Sequence, residues 1–216
     1  MVQKSVSIKR RGRPPAYDPK TALTRAMEAF WDAGYAATSL DDIAAATGMN
    51  RPSLYGAFGD KHALYLRTLE HYRAGGQVRA ALEREDTLRQ AFGRVFGLAI
   101  DLYLSGKHGA RGCFLIGTAA TEAVKSPAVR AALAAQLNEI DALFEARIRR
   151  ARGRGEIAAE ADPRALAKIA SAVLHSLALR SRAGDPRASL EALAAAGIDL
   201  VCGRRERPKN ARARFS

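Results

Sequence analysis

TSLDDIAAATGMNRPSLYGAFGDK, residues 38–61, spells two short helices and the tight turn between them. Ser39 with Asp42 three positions on is a capping-box-like start, and Leu40, Ile43 and Ala44 supply an inward face. Gly48 ends that helix, because glycine tolerates the left-handed backbone of a helix stop. Met49 seals the turn, and Asn50 is placed to cap a second helix from Arg51 to about Phe58. Leu54 and Phe58, four residues apart, bury against the first helix of the pair. Ala44 is small, as two helices crossing steeply over a short turn require. An Ala-x-x-x-Gly spacing alone fits any helical hairpin. Matched caps, the turn glycine and the apolar positions together predict a helix-turn-helix whose second helix enters a DNA groove.

The rest of the chain must support that unit. With 216 residues and 48% hydrophobic content it can build a sizeable core without staples. The formal charge of +13 is concentrated at the ends: residues 1–20 and residues 204–216 each carry six basic and one acidic side chain, which leaves +3 between them. Basic ends on a nearly balanced middle suit a polyanionic partner, because each phosphate neutralised releases counterions. For the C-terminal RRERPKNARARFS a solubilising tail is the simpler reading. Cys113 and Cys202 stand far apart, with no Cys-x-x-Cys spacing, so neither a disulfide framework nor a metal site is expected, and a reducing cytoplasm fits. Charges such as Arg94, Asp101 and Lys168 interrupt the most apolar stretches, so no bilayer-spanning helix is expected. The basic N-terminus lacks the apolar run of a secretory signal.

Helix signals continue to the C-terminal region. Asp18-Pro19, Ser126-Pro127, Asp162-Pro163 and Asp185-Pro186 each read as a cap followed by proline at the first helical position. Leu23, Ala26, Met27 and Phe30 mark a first helix ending near Gly34, which completes a three-helix head. Asp60 is expected to start a fourth helix running out at Gly75-Gly76. Leu88 to Tyr103 reads as a fifth, Cys113 to about Val124 as a sixth, and the stripe Val129, Leu133, Leu137, Ile140, Phe144, Ile148 as a seventh. Pro163 to about Arg182 and Pro186 to about Cys202 form a closing hairpin. No window alternates with period two. The expected fold is therefore all-α, a helix-turn-helix head followed by a helical bundle, about nine helices in all. Residues 1–17 would be a basic arm, 18–62 the DNA-binding domain, 63–203 a ligand-receiving and dimerisation domain, and 204–216 a basic tail.

These residues resemble the TetR/AcrR family of bacterial transcriptional regulators. GYAATSLDDIAAATGMNRPSLYGAFGDKHALY, residues 34–65, is similar to the family's signature almost position by position. RGCFLIGTAATEA at 111–123 and HSLALRSRAG at 175–184 are similar to segments common in its members. The resemblance implies a homodimer, a DNA-binding head in each subunit and a variable ligand-receiving body. It also implies backbone contacts from Lys61 and from Ser39 or its amide.

In such a head the second helix lies in the major groove with its N-terminal residues nearest the bases. Arg51 is the candidate base reader, since a guanidinium can grip guanine O6 and N7 together, with a plain phosphate contact as the other reading. Asn50, Pro52, Ser53 and Tyr55 should line the same surface, the Tyr55 hydroxyl being better suited to a phosphate. Gly56 and Ala57 depart from the family pattern, where larger aromatic or histidine side chains are common, and fewer atoms would then reach the bases. Part of the reading would shift to KRRGRP at 9–14, an AT-hook-like core in which Arg11 and Arg13 track a narrow minor groove. The alternative is a tail adding only nonspecific attraction.

Leu166, Ile169, Ala170, Val173 and Leu177 define one face of the eighth expected helix. Leu190, Leu193, Ala194 and Leu200 define one face of the ninth, and two such hairpins would make a four-helix dimer interface. Phe92, Phe96, Tyr103, Phe114, Ile140 and Phe144 are candidates for the wall of a pocket for a small apolar or amphipathic ligand. Each residue in both sets also fits ordinary core packing. The expected function is a dimeric, sequence-specific transcriptional regulator, most simply a repressor released from a palindromic operator by that ligand. An enzyme lacks support: His62, His71, His108 and His175 have no metal-ligand spacing, no nucleophile elbow or phosphate loop appears, and no metal or cofactor is expected. A nonspecific nucleic-acid-binding or compacting protein is the remaining alternative. It would bind with steep salt dependence and little sequence preference.

Overall fold

The computed structural model describes residues 18–73, 77–84, 87–106 and 109–203 and folds them into helices alone. The head begins at Asp18, whose carboxylate accepts the Thr21 amide at 2.9 Å and opens α1 (Pro19–Ala33). Ser39 and Asp42 form the full capping box of α2 (Leu40–Thr47), Ser39 Oγ accepting the Asp42 amide at 3.1 Å and the Asp42 carboxylate accepting the Ser39 amide at 2.8 Å. The Asn50 side chain caps α3 (Arg51–Phe58) by accepting the Ser53 amide at 2.9 Å. Ala22, Ala26, Phe30, Ile43, Met49, Leu54 and Phe58 are buried within this three-helix unit.

Gly48, at φ 71° and ψ 16°, makes the turn, and its amide donates to the Ala44 carbonyl at 2.9 Å. A methyl group added there would meet nothing within 4 Å. The penalty for Gly48→Ala is therefore conformational alone, about 1–2 kcal/mol for an L-residue held left-handed. Urea unfolding should show a stability lowered by that amount, read as a lower midpoint with the slope unchanged.

Asp60 caps α4 (Lys61–Arg73) through the Ala63 amide at 2.7 Å, and α4 lies along α1 on its way into the body. The body comprises α5 (Gln77–Arg84), α6 (Leu88–Tyr103), α7 (Phe114–Glu122), α8 (Pro127–Gly153), α9 (Pro163–Arg182) and α10 (Arg187–Cys202). Among the described residues there are thus ten helices rather than nine. The unforeseen one is α5, two turns long, which buries Ala81 and Leu82 as it packs on α6 and α8. A second correction falls at Asp185-Pro186. Pro186 is itself the cap residue of α10, and the Asp185 carboxylate instead accepts from Ser189 Oγ and Arg180.

The centre of the body is aromatic. Phe92 stacks on Phe96 with centroids 5.8 Å apart, and Phe144 meets Phe92 edge-on at 5.1 Å. Helix α10 packs on α9 and α6, closely enough that a Cβ at Gly197 would stand 2.7 Å from a Val173 methyl. The long stripe of α8 is buried at its ends, by Val129 near the start and Phe144 and Ile148 further on. Between them Leu133 and Ile140 are only partly buried, and Leu137 and Ile140 face a cavity. No helix of the described residues is long and apolar enough to cross a membrane.

Candidate nucleic-acid interface

Burial of Leu54 and Phe58 turns the opposite side of α3 outward. Asn50, Arg51, Pro52, Ser53 and Tyr55 are all exposed, Tyr55 by 50%. The Asn50 oxygen is committed to the Ser53 amide, which leaves its NH2 group as the end able to reach a partner. Arg51 is not an isolated cation. Its Nε donates to Asp41 Oδ1 at 2.7 Å and its terminal nitrogen to the other carboxylate oxygen. This fork bridges the first turns of α2 and α3 while both side chains stay more than half exposed. Sequence reasoning missed Asp41 as the partner of Arg51, because ten residues and a turn separate them and no helical period joins them.

Ser39 spends both its amide and its hydroxyl on Asp42. A phosphate at this helix end would therefore meet the free first-turn amides that follow Ser39, not Ser39 itself. Hydrogen bonds from Ser39 hold the Asp42 carboxyl below the usual range, and the Lys61 ammonium adds to the effect. The Lys61 Nζ itself rests 4.5 Å from the centroid of the Tyr35 ring. Arg67, unforeseen from sequence, donates to the Ala57 carbonyl at 3.2 Å and closes the C-terminal end of α3. Arg11 and Arg13 lie outside the described residues.

Behind the head lies a cavity of about 500 Å³, walled by α1, α4, α5, α6, α7, α8 and α9. Of the six expected wall residues, Tyr103 and Ile140 line it. Phe92, Phe96, Phe114 and Phe144 do not, because they are wholly buried and pack on other rings. Phe114 is held by Trp31, Tyr65 and Tyr72, and the other three are held by one another. The wall not foreseen includes Met27 and Trp31 from α1, His71 and Tyr72 from α4, Gln136 from α8 and His175 from α9. Burial pushes the Tyr72 and Tyr103 phenols well above their usual range, and the Tyr72 hydroxyl lies 3.4 Å from Cys113 Sγ. Burial lowers the His175 pKa, opposed by the Asp141 charge. His62 bonds Ser126 Oγ at 3.2 Å and His71 bonds Thr24 Oγ1 at 3.1 Å, while His108 lies outside the described residues.

The expected interface set also divides. Ala170, Leu177, Leu190 and Ala194 are buried in the chain's own core, so they are corrected to intramolecular packing. Leu166, Ile169, Val173 and Leu193 are half-buried. The expected Leu200 does face outward, in stripes that are otherwise Ala165, Ala172 and Leu179 on α9 and Ala188, Ala192 and Ala196 on α10, with Leu179 58% and Leu200 64% exposed.

The family model described as bacterial regulatory proteins, tetR family, matches residues 22–68, and that of the tetracyclin repressor-like C-terminal domain matches residues 94–196. The HTH-type transcriptional repressor ComR of Escherichia coli (strain K12) is 31% identical over 188 residues, which are 86% of this chain and 88% of ComR. The uncharacterized HTH-type transcriptional regulator YezE of Bacillus subtilis (strain 168) is 29% identical over 160 residues, 73% of this chain and 82% of YezE. A cysteine mutant of the TetR-family regulator CifR, solved with 26-bp double-strand operator DNA, superimposes with a TM-score of 0.78. It has 34% identity, and the match covers 86% of this chain and 98% of that one. The solvent-facing recognition helix thus sits in a chain that is related to repressors over both its head and its body, and this protein belongs to the TetR family of DNA-binding transcriptional regulators.

Proposed function

We propose that the protein is a cytoplasmic repressor, not an enzyme, that binds a palindromic operator as a homodimer and is released by a small molecule held in the cavity. The observation that carries this reading is the outward face of α3, where four polar or aromatic residues, Asn50, Arg51, Ser53 and Tyr55, stand clear with Pro52 over a buried Leu54–Phe58 seam. Each head, residues 18–62, reads one half-site. Arg51 leaves Asp41 for a base edge, Asn50, Pro52, Ser53 and Tyr55 flank it, and Lys61 and the α2 N-terminus seat a phosphate. Parting an exposed ion pair costs no more than about 1 kcal/mol, less than a bidentate guanine contact returns. Arg11 and Arg13 of the arm add minor-groove contacts, and residues 63–203 bring the two heads about one helical turn, roughly 34–36 Å, apart. A ligand that touches Met27, Trp31, His71 and Tyr72 presses on α1 and α4, the helices that carry the head. It releases DNA only in so far as it binds the DNA-incompetent arrangement more tightly.

Selection of bound sites from random DNA tests the reading, with one twofold-symmetric motif as the expected result. Arg51→Ala should then relax preference at one position in each half-site, by about 1–3 kcal/mol against the wrong base. Uniform weakening over all sequences would assign Arg51 to the phosphates. A selection that returns no motif, with binding that follows salt alone, would replace the repressor by a compacting protein.

A further inference from the structure

The cavity carries a specific chemistry. Its walls are chiefly aliphatic, with Leu98, Leu102, Leu137 and Leu143 among them, so the body of any guest must be apolar. Among the described residues, the formal charges on the wall are Arg79 and Glu139, and these face each other at 4.0 Å. A charged guest would therefore leave water for an apolar space whose cation and anion already answer one another. His175, with its pKa lowered by burial, adds a neutral imidazole. One polar atom stands out: Gln136 Oε1 is buried and accepts no hydrogen bond from the described residues. A buried acceptor left without a donor is costly, and native cores rarely tolerate one.

We propose that the effector is an uncharged molecule with an apolar skeleton and one hydroxyl or carboxamide group, which hydrogen-bonds the Gln136 side-chain amide inside the cavity. This rests on the reading of the cavity as the effector site. A hydroxyl or carboxamide both donates and accepts, as the Gln136 amide does, so one such group saturates it. A carboxylate offers acceptors alone and brings an unmatched charge. A bare hydrocarbon fills the space but leaves the oxygen as it was. The polar group sets orientation, and the aliphatic wall supplies most of the binding.

The test uses the full chain at pH 7.5 and three probes of equal length, decanamide, decanoate and decane, with dissociation constants from calorimetry or thermal shift. Decanamide should bind at least about tenfold more tightly than decanoate, a gap of about 1.4 kcal/mol. Gln136→Leu should weaken decanamide by about tenfold and leave decane unchanged or tighter. Gln136→Met, closer in shape, repeats the measurement should the leucine variant fold poorly. Decanoate equal to decanamide, no decanamide binding at all, or decanamide indifferent to both substitutions would overturn the proposal. Operator affinity is measured alongside. Gln136-dependent decanamide binding that leaves operator affinity untouched would uphold the cavity chemistry and sink the effector reading.

Discussion

Leu200→Glu combined with Leu179→Glu is expected to leave a folded monomer whose operator affinity has fallen by about 10²–10⁴-fold, the range lost when two linked binding events become one. Both leucines are more than half exposed, so their replacement removes nothing from the chain's own core. Each stands on a stripe of small residues, Ala165 and Ala172 on α9 and Ala188, Ala192 and Ala196 on α10. Small side chains would let two such helix pairs approach closely, and the leucines would then fill the remaining space. Twofold symmetry counts every contact twice. With about 1.5–3 kcal/mol for each fully buried leucine, and a carboxylate put in its place, the interface cannot hold. Sedimentation would give the mass, circular dichroism the fold, and fluorescence anisotropy the operator affinity. Leu190→Glu is the contrast: that residue is wholly buried, and its substitution should unfold the chain rather than split a dimer. A double variant that stays dimeric and binds operator fully would move the interface elsewhere.

That distinction shows where sequence reasoning ends. The head was legible because its determinants are local. Ser39 with Asp42, Gly48, and Asn50 with Ser53 each act within three or four residues, and the structure contains all of those contacts. Helices of the body were legible from period and from caps such as Ser126 and Asp162. The faces of α9 and α10 were not. Both helices are apolar or small nearly all round, and which side meets the core depends on where α6 and α8 lie. The richer side, with Ala170, Leu177, Leu190 and Ala194, went inward, as burial favours, and the poorer side remained outside.

The site divided along the same line. Exposure of Asn50, Arg51, Pro52, Ser53 and Tyr55 follows from burial of Leu54 and Phe58 one helical period apart, which a single sequence displays. The Arg51–Asp41 fork and the meeting of Lys61 with Tyr35 do not follow, since each joins separate elements. The phenylalanines illustrate the opposite trap. A large ring is a good wall for a guest and a better partner for another ring, and four of the six expected residues chose the second. The cavity falls where α8 offers Leu137 and Ile140 and where α1 and α4 turn Met27, Trp31 and His71 inward, a conjunction of three segments that no spacing announces.

Trp31→Ala should produce the largest loss of stability of any single change near the cavity, about 3–5 kcal/mol for truncation of a buried tryptophan. The indole is nearly enclosed, and its Nε1 donates to the Arg111 carbonyl at 3.2 Å. The Arg111 guanidinium lies 4.0 Å from the ring centroid, while Tyr72 and Phe114 meet the ring at 5.3 and 5.6 Å. Arg182, the last residue of α9, donates to that same Arg111 carbonyl at 3.2 Å and to the Trp31 carbonyl at 3.5 Å. The Trp31 indole and the Arg182 guanidinium together therefore join α1 of the head, α4, the entry to α7 and the end of α9. Trp31→Phe keeps most of the apolar volume and loses the N–H, and because Arg182 still supplies the Arg111 carbonyl with a donor, its cost should be on the order of 1 kcal/mol. Arg182→Ala is the finer probe. It leaves the indole in place, so stability should fall by a similar small amount, but the tie between head and α9 is cut. A cavity ligand should then bind Arg182→Ala as it binds the unaltered protein while shifting operator affinity less. Stability loss in Trp31→Ala below about 1 kcal/mol would mean that the aromatic cluster closes over the gap and that the joint is carried by the Arg182 hydrogen bonds alone.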